Sequence, residues 1–146
     1  MLDVFEKYGE GVVSLMSVPE DEVSEYGIVD GESWAPEMLR VRTLMEKPSE
    51  DIAPSNLAII GRYLLPPVIF DYLAEATPDE SGEIQLTDAL AQLAREKALI
   101  GYKFSGMRHD IGDKLGFLTA NIEHGLQSDE IGEELKQYMR EALDEA

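Results

Sequence analysis

Three consecutive residues, Glu46-Lys47-Pro48, place an acid beside a base and fix the backbone after them with a proline. They follow Met38–Met45, whose alternating apolar and polar residues predict a strand. At the carboxyl end of a strand, a glutamate can accept hydrogen bonds from two sugar hydroxyls, and a neighbouring lysine can neutralise a phosphate. The same tripeptide also suits an ordinary surface turn, so by itself it leaves both interpretations open.

Two further positions could contribute to a site. Gly27 begins a short extended segment, where a glycine either lets the backbone approach a ligand closely or simply forms a turn. Asp110, in Asp-x-Gly-x-Lys, precedes a predicted helix. Its carboxylate could bind Mg²⁺ that bridges ligand phosphates, or it could cap the helix. His109 and His124 lie far apart in sequence and no cysteine accompanies them, so we do not predict a zinc site.

Composition limits the kind of protein. The chain has 146 residues, of which 44% are hydrophobic, and its net charge is −18. That length suits one domain, and the negative charge repels nucleic acids and anionic membranes, so we expect neither as a partner. The sequence contains no cysteine, no long apolar run and no signal-peptide pattern at its start. We therefore predict a cytoplasmic protein without disulfides.

Hydrophobic periodicity predicts an α/β fold with a mixed sheet. A hairpin turn is expected at Asp30-Gly31, and Thr87 is expected to be the N-cap of a helix. The nearly continuous apolar run 57–65 predicts a strand covered on both faces. The helix Lys114–Leu126 is expected to turn Leu115, Leu118, Ile122 and Leu126 inward. The other predicted helices are 1–8, 68–76 and 129–145, and the other strands are 12–18, 38–45 and 98–104.

Five motifs, taken together and in order, resemble the bacterial UTP–glucose-1-phosphate uridylyltransferases, also called UDP-glucose pyrophosphorylases. The resemblance covers roughly residues 1–140, and five ordered motifs with suitable spacing make it specific. The motifs are Y-G-I-V (26–29), M-E-K-P (45–48), A-P-S-N-L-A-I-I-G-R-Y (53–63), G-E-I-Q-L-T-D-A-L (82–90) and D-I-G-D-K-L-G-F (110–117).

The resemblance implies a Rossmann-like nucleotidyltransferase fold and a Mg²⁺-dependent reaction of UTP with glucose 1-phosphate, which yields UDP-glucose and pyrophosphate. It implies that Glu46 holds the glucose hydroxyls, that Lys47 meets the sugar-linked phosphate and acts in catalysis, and that Gly27 offers its backbone to the sugar. Asp110 resembles one of two aspartates that hold the metal. Asn56 and Ala58 would line the sugar pocket.

The sequence also departs from this family. The Gly-rich segment that binds the triphosphate in the family, and the other metal aspartate, are not found in these residues. We therefore expect residues 1–146 to form a single unit, the C-terminal half of a nucleotidyltransferase. UTP would bind through the missing N-terminal half, so the 146 residues alone are expected to be inactive. We also expect a homo-oligomer, because a sheet without its other half exposes an edge and an apolar face. His109 and Asp113 differ from the usual family residues, and Asp113 could either aid metal binding or face water.

Two other functions are compatible with the residues. The chain could be a sugar-phosphate-binding or regulatory module without catalysis, which would bind glucose 1-phosphate or UDP-glucose through Glu46. It could also be an acidic interaction protein with a decayed site, in which Glu46, Lys47 and Asp110 are replaceable without effect.

Overall fold

The computed structural model describes residues 1–79 and 82–144, and it has two compact units, Met1–Ser105 and Gly106–Ala146. The sequence had predicted one unit over residues 1–146, whereas the contacts within the chain divide it in two. Asp110 lies in the second unit, and the other predicted site residues lie in the first.

The described part of the first unit is a small closed sheet with helices around it. Its strands are β1 (Gly11–Ser17), β2 (Gly27–Ala35), β3 (Met38–Glu46), β4 (Leu57–Leu64) and β5 (Leu99–Lys103). Their order is β1-β4-β2-β3-β5, and the sheet closes because β5 also pairs with β1. That last pair is parallel and the others are antiparallel, so the predicted mixed sheet is confirmed.

Strands β1 and β3 follow the sequence pattern closely. The first five residues of β1, Gly11 to Leu15, are all buried, as expected for a strand covered on both faces. In β3, Leu39 and Val41 are buried, while Arg40 and Arg42 are exposed. The buried side chains of β1 and β3 meet in the main core cluster, whose members are Val13, Leu15, Val29, Leu39, Val41, Ile59, Ile69, Tyr72, Ala89, Leu90, Leu93 and Leu99.

The hairpin turn was predicted at the wrong place. Strand β2 continues through Asp30 and Gly31, and the chain reverses only after Ala35, before β3 begins at Met38. The register of β2 against β3 shifts at Asp30/Gly31, and a Cβ on Gly31 would collide with the Arg40 carbonyl oxygen. The glycine is therefore needed for a close strand approach at a bulge rather than for a turn.

Strand β4 is covered on both faces only near its beginning, so that prediction was partly wrong. Ala58 and Ile59 are buried, but Gly61, Arg62 and Tyr63 are exposed. The pairing of β4 with β1 shifts between Val13 and Leu15, and Gly61 there has φ 77°. A bulge thus bends β4 away from the core and exposes its later residues.

The helices of the first unit are α1 (Leu2–Tyr8), α2 (Ile69–Glu75) and α3 (Leu86–Glu96), together with the 3-10 helix Glu20–Glu25. Helix α3 packs against β3 and α2. Its N-cap is Gln85, without a side-chain capping bond, so the prediction of Thr87 as the cap was wrong. Thr87 is the second residue of the helix, and its side chain forms a hydrogen bond with Glu46 instead.

The described part of the second unit contains α4 (Lys114–Leu126) and α5 (Gly132–Asp144). The predicted inward stripe of α4 was wrong: Leu115 is 74% exposed and Leu118 58%, and Ala120 is the buried residue of this helix. Two paired helices offer too little surface to bury a full apolar stripe. The last predicted helix began too early, and residue 145, its predicted end, lies outside the described residues. No helix within 1–79 or 82–144 is long and apolar enough to cross a membrane.

Candidate functional site

Glu46 and Gly27 meet at one end of the β2–β3 pair. Glu46 is the last residue of β3 and Gly27 is the first of β2, and the two are direct partners in the antiparallel register. The sequence had singled them out separately, as members of different motifs. Antiparallel pairing explains their proximity, because it aligns the start of one strand with the end of the next.

Helix α3 also contributes a residue at this end of the β2–β3 pair. The Thr87 hydroxyl, on the first turn of α3, donates a hydrogen bond to Oε2 of Glu46. Thr87 is 8% exposed and Glu46 is half-buried. A Cβ built on Gly27 would lie 3.1 Å from Oε2 of Glu46 and 3.2 Å from Oγ1 of Thr87. The missing side chain of Gly27 thus leaves just enough room for the carboxylate and the hydroxyl.

Lys47 follows in an unusual backbone conformation. Its φ is 42°, in the left-handed region that residues other than glycine rarely adopt, and it is the one such non-glycine residue among those described. Its backbone N–H donates to the Tyr26 carbonyl at 3.0 Å, and the next residue, Pro48, is buried. A backbone of this kind costs roughly 1–3 kcal/mol and is found often at ligand-binding sites. Lys47 is exposed, so its charge is available to a ligand.

The Glu46 carboxylate also affects the pKa of Tyr63. Partial burial raises the pKa of the Tyr63 phenol above its ordinary value, and the negative charge of Glu46 raises this pKa further. Both effects disfavour the phenolate. The phenol, which is 37% exposed, is therefore a neutral hydroxyl in the neighbourhood of Glu46.

Asn56 and Ala58 have contacts that serve the fold. The Asn56 side-chain amide donates to the Val18 carbonyl at 3.2 Å, and the Val18 N–H donates to the Asn56 carbonyl at 3.0 Å. Ala58 is fully buried in a second cluster with Val18, Val23 and Ile28. These contacts tie the end of β1 to the start of β4. Their predicted role beside a sugar stays a prediction.

In the second unit, the cap of α4 is formed by Asp113 and not by Asp110. Asp113 is the N-cap of α4, because its Oδ1 accepts from the N–H groups of Leu115 at 2.8 Å and Gly116 at 2.9 Å. Asp110 does not cap the helix. Its Oδ1 accepts from the Gly112 N–H at 2.9 Å, and its Oδ2 lies 3.4 Å from an Arg108 guanidinium nitrogen.

The donor chemistry of Asp110 suits a magnesium ion in part. Its side chain is 63% exposed, and it offers the hard carboxylate oxygens that this ion prefers. Within residues 1–79 and 82–144, however, no group of three or more His, Cys, Asp or Glu side chains could hold a metal. His109 instead lies beside Glu123, with Nδ1 at 3.5 Å from Oε2, and its ring is 5.4 Å from that of His124. Asp110 therefore offers one ligand, which fits an ion that is held mainly by phosphates and water.

Thr87 and Tyr63 are candidate site residues that the sequence did not single out. Both lie inside two of the five motifs, 82–90 and 53–63. Thr87 was assigned to capping because threonine before a helix usually caps it.

Comparison with known proteins gives a consistent result. The sequence profile described as nucleotidyl transferase matches residues 1–125. Over 141 residues, the chain is 40% identical to a UTP–glucose-1-phosphate uridylyltransferase of Staphylococcus epidermidis, covering 97% of this chain and 49% of that protein. The chain thus spans about half the length of the curated relatives it matches.

Solved structures agree with the sequence relatives. A UDP-glucose pyrophosphorylase complexed with UDP-glucose has a TM-score of 0.79 and 40% identity, over 84% of this chain and 46% of that one. A UTP-bound UGPase from Acinetobacter baumannii has a TM-score of 0.82 and 35% identity, over 97% of this chain and 48% of that one. The α/β nucleotidyltransferase fold expected from the sequence is therefore confirmed.

Proposed function

The chain belongs to the nucleotidyl transferase family, and we propose that it provides the sugar-phosphate-binding part of a UTP–glucose-1-phosphate uridylyltransferase. The observation that carries this proposal is the position of the Glu46 carboxylate. It lies at the end of β3, beside the first residue of β2, and accepts a hydrogen bond from α3. One of its oxygens accepts from Thr87, and no other hydrogen bond reaches the Glu46 side chain from the described residues. A second oxygen is thus available to sugar hydroxyls.

In the proposed reaction, an oxygen of the glucose 1-phosphate attacks the α-phosphorus of UTP. A new P–O bond forms, the bond to the β-phosphate breaks, and pyrophosphate leaves. Such a transfer needs positioning and charge stabilisation more than covalent help. Glu46 fixes the sugar by its hydroxyls, Gly27 allows the sugar close to the backbone, and Lys47 stabilises the charge on the sugar-linked phosphate.

Mg²⁺ is part of this proposal, with Asp110 as one of its ligands. When bound, the ion neutralises phosphate charge during the transfer. The support is the exposed carboxylate of Asp110 and the motif at 110–117 that resembles the family. Asp113 is not proposed as a ligand, because its Oδ1 is committed to the α4 cap.

The proposal also covers the residues beside the sugar, the second substrate and the cellular location. A position of Asn56 and Ala58 beside the sugar rests on the resemblance of the motif 53–63, since the structure uses the Asn56 amide and carbonyl for Val18 and buries Ala58 between β1 and β2. UTP is the second substrate of the proposed reaction, and UDP-glucose and pyrophosphate are its products. The cytoplasmic location expected from the sequence stays part of the proposal.

We also propose a homo-oligomer. Large apolar side chains on α4 are exposed, with Leu115 at 74% and Phe117 at 53%. Exposed apolar surface of this kind favours association with a second copy. Light scattering during size-exclusion chromatography measures the mass directly. A mass equal to one chain at micromolar concentration would contradict this part of the proposal.

The central experiment is calorimetry with glucose 1-phosphate. We expect binding to the protein expressed from its whole reading frame, a loss of at least about tenfold in affinity for Glu46→Ala, and a similar loss for Lys47→Ala. Glu32→Ala is the matched control, because Glu32 is an exposed glutamate on β2. It should bind as the unchanged protein does.

A turnover assay distinguishes the proposed uridylyltransferase function from a sugar-phosphate-binding module without catalysis. Pyrophosphate release from UTP and glucose 1-phosphate, measured with the whole-frame protein, is expected to be lost in Asp110→Ala. Binding without any pyrophosphate release would indicate a sugar-phosphate-binding module instead. If Glu46→Ala, Lys47→Ala and Asp110→Ala all behave as the unchanged protein, both functions are wrong.

A further inference from the structure

The Thr87 hydroxyl is a buried polar group with a specific partner far away in sequence. Its donor bond to Oε2 of Glu46 connects α3 to the end of β3. The residue is 8% exposed, and the N-cap of α3 is Gln85, so the hydroxyl is not needed to cap the helix. A threonine at this position of the first turn therefore has a role that helix formation does not explain.

The contact fixes which oxygen of Glu46 faces the protein. A glutamate side chain at a strand end has three rotatable torsions, and holding it in one arrangement has an entropic cost of about 1.5–2 kcal/mol. Oε2 accepts from Thr87 and lies beside Gly27, where an added Cβ would be only 3.1 Å away. The carboxylate is therefore set before any ligand arrives, and Oε1 is the oxygen left for hydrogen bonds from outside.

We propose that Thr87 is a positioning residue that orients Glu46 for recognition of the sugar hydroxyls, an inference that rests on the proposed function. Thr87 acts through Glu46 and does not touch the phosphate. Its effect is therefore confined to ligands that carry the sugar. Preorganising the acceptor lowers the entropy lost when the sugar binds.

The test is to compare two ligands in each variant, glucose 1-phosphate and inorganic phosphate, by calorimetry on the protein expressed from its whole reading frame. Thr87→Val keeps the shape of the side chain and removes the donor, while Thr87→Ser keeps the donor. We expect Thr87→Val to weaken glucose 1-phosphate about tenfold and to leave phosphate within about twofold. Thr87→Ser should stay within about twofold of the unchanged protein for both ligands.

A double-variant cycle gives the decisive readout. If Thr87 acts through Glu46, Thr87→Val has no further effect on sugar binding once Glu46→Ala is present. A merely structural role would weaken both ligands alike and would add to Glu46→Ala, and either result overturns the inference. Because each variant is judged by the ratio of its two affinities, a general loss of stability does not imitate the expected result. Should Thr87→Val fail to fold, Thr87→Ala is judged by the same ratio.

The outcomes also separate this inference from the proposed function. Equal affinity of the unchanged protein for glucose 1-phosphate and phosphate would show that no sugar is recognised, and it would overturn both. Preferential sugar binding that Thr87→Val leaves unchanged would overturn the inference alone.

Discussion

Gly27→Ala adds one methyl group where the structure has almost no space for it. The new Cβ would lie 3.1 Å from Oε2 of Glu46 and 3.2 Å from Oγ1 of Thr87, whereas ordinary contacts begin at 3.4 Å. The carboxylate and the hydroxyl must each retreat by a few tenths of an ångström. Because Thr87 is buried in α3, we expect Glu46 to make most of this movement.

The expected effect on stability is small because two contributions oppose each other. Replacing glycine by alanine at a compatible backbone position stabilises the folded chain by about 0.4–1 kcal/mol. Weakening the bond between Thr87 and Glu46 removes about 1 kcal/mol. The free energy of unfolding should therefore change by no more than about 1 kcal/mol, a shift in Tm of a few degrees.

The expected effect on sugar binding is larger. Displacing Glu46 weakens at least one hydrogen bond from a sugar hydroxyl to a carboxylate, worth about 1.5 kcal/mol, or about tenfold in Kd for glucose 1-phosphate. Calorimetry measures the Kd and thermal unfolding measures the Tm. Asp30→Ala, an exposed change in the same strand, is the control and should alter neither by much.

Two results would refute this reasoning. One is unchanged sugar affinity in Gly27→Ala, since the methyl group would then have displaced nothing that binds the sugar. The other is a tenfold loss from Gly27→Ala that persists when Glu46→Ala is already present. In that background the carboxylate is gone, so a persisting loss would mean that the methyl group obstructs the sugar directly at Gly27 and not through Glu46.

Two further predictions concern charge and helix capping. The raised pKa of Tyr63 means that the folded chain holds the phenol proton more tightly than the unfolded chain. This contribution to stability is complete below the ordinary pKa of 10.0 and is lost as pH rises through the higher folded value. Glu46→Gln should lower the Tyr63 pKa in an ultraviolet titration, with Tyr63→Phe identifying the signal, and an unchanged titration would contradict this. Asp113→Ala should destabilise α4 by roughly one kcal/mol in amide hydrogen exchange, the usual cost of losing a helix cap. Asp113→Asn and Asp110→Ala should leave the helix nearly intact, because the first keeps a capping oxygen and the second does not touch the cap. Equal loss in all three variants would contradict the assignment of the cap.

Local patterns predicted most of the regular structure. The alternation in 38–46 follows from the two-residue period of a strand. The bounds of α4 match the predicted Lys114–Leu126, and in the structure the capping aspartate Asp113 precedes its first residue. The hairpin was misplaced because Asp-Gly is a turn signal by local conformation, while here the glycine serves a bulge against Arg40. That requirement comes from the partner strand, which the local sequence does not display.

At the candidate site, too, some features could be predicted from the sequence and others depend on the tertiary structure. Residue types alone left Gly27, Glu46, Lys47 and Asp110 open between a site and ordinary turns or caps, and the resemblance of five ordered motifs singled them out. The mutual geometry was not available from the sequence. The register of β2 against β3 sets Gly27 opposite Glu46, and the packing of α3 brings Thr87 to the same carboxylate.

The sequence by itself thus determined most of the elements, the mixed α/β class and the candidate residues for binding a sugar phosphate. Only the tertiary structure decided that the sheet closes through β1 and β5, that Thr87 holds Glu46, and that Asp113 rather than Asp110 caps α4. The physical reason is that periodicity and capping depend on neighbours a few residues apart. Strand order, register and hydrogen bonds between distant side chains depend on how the whole chain packs.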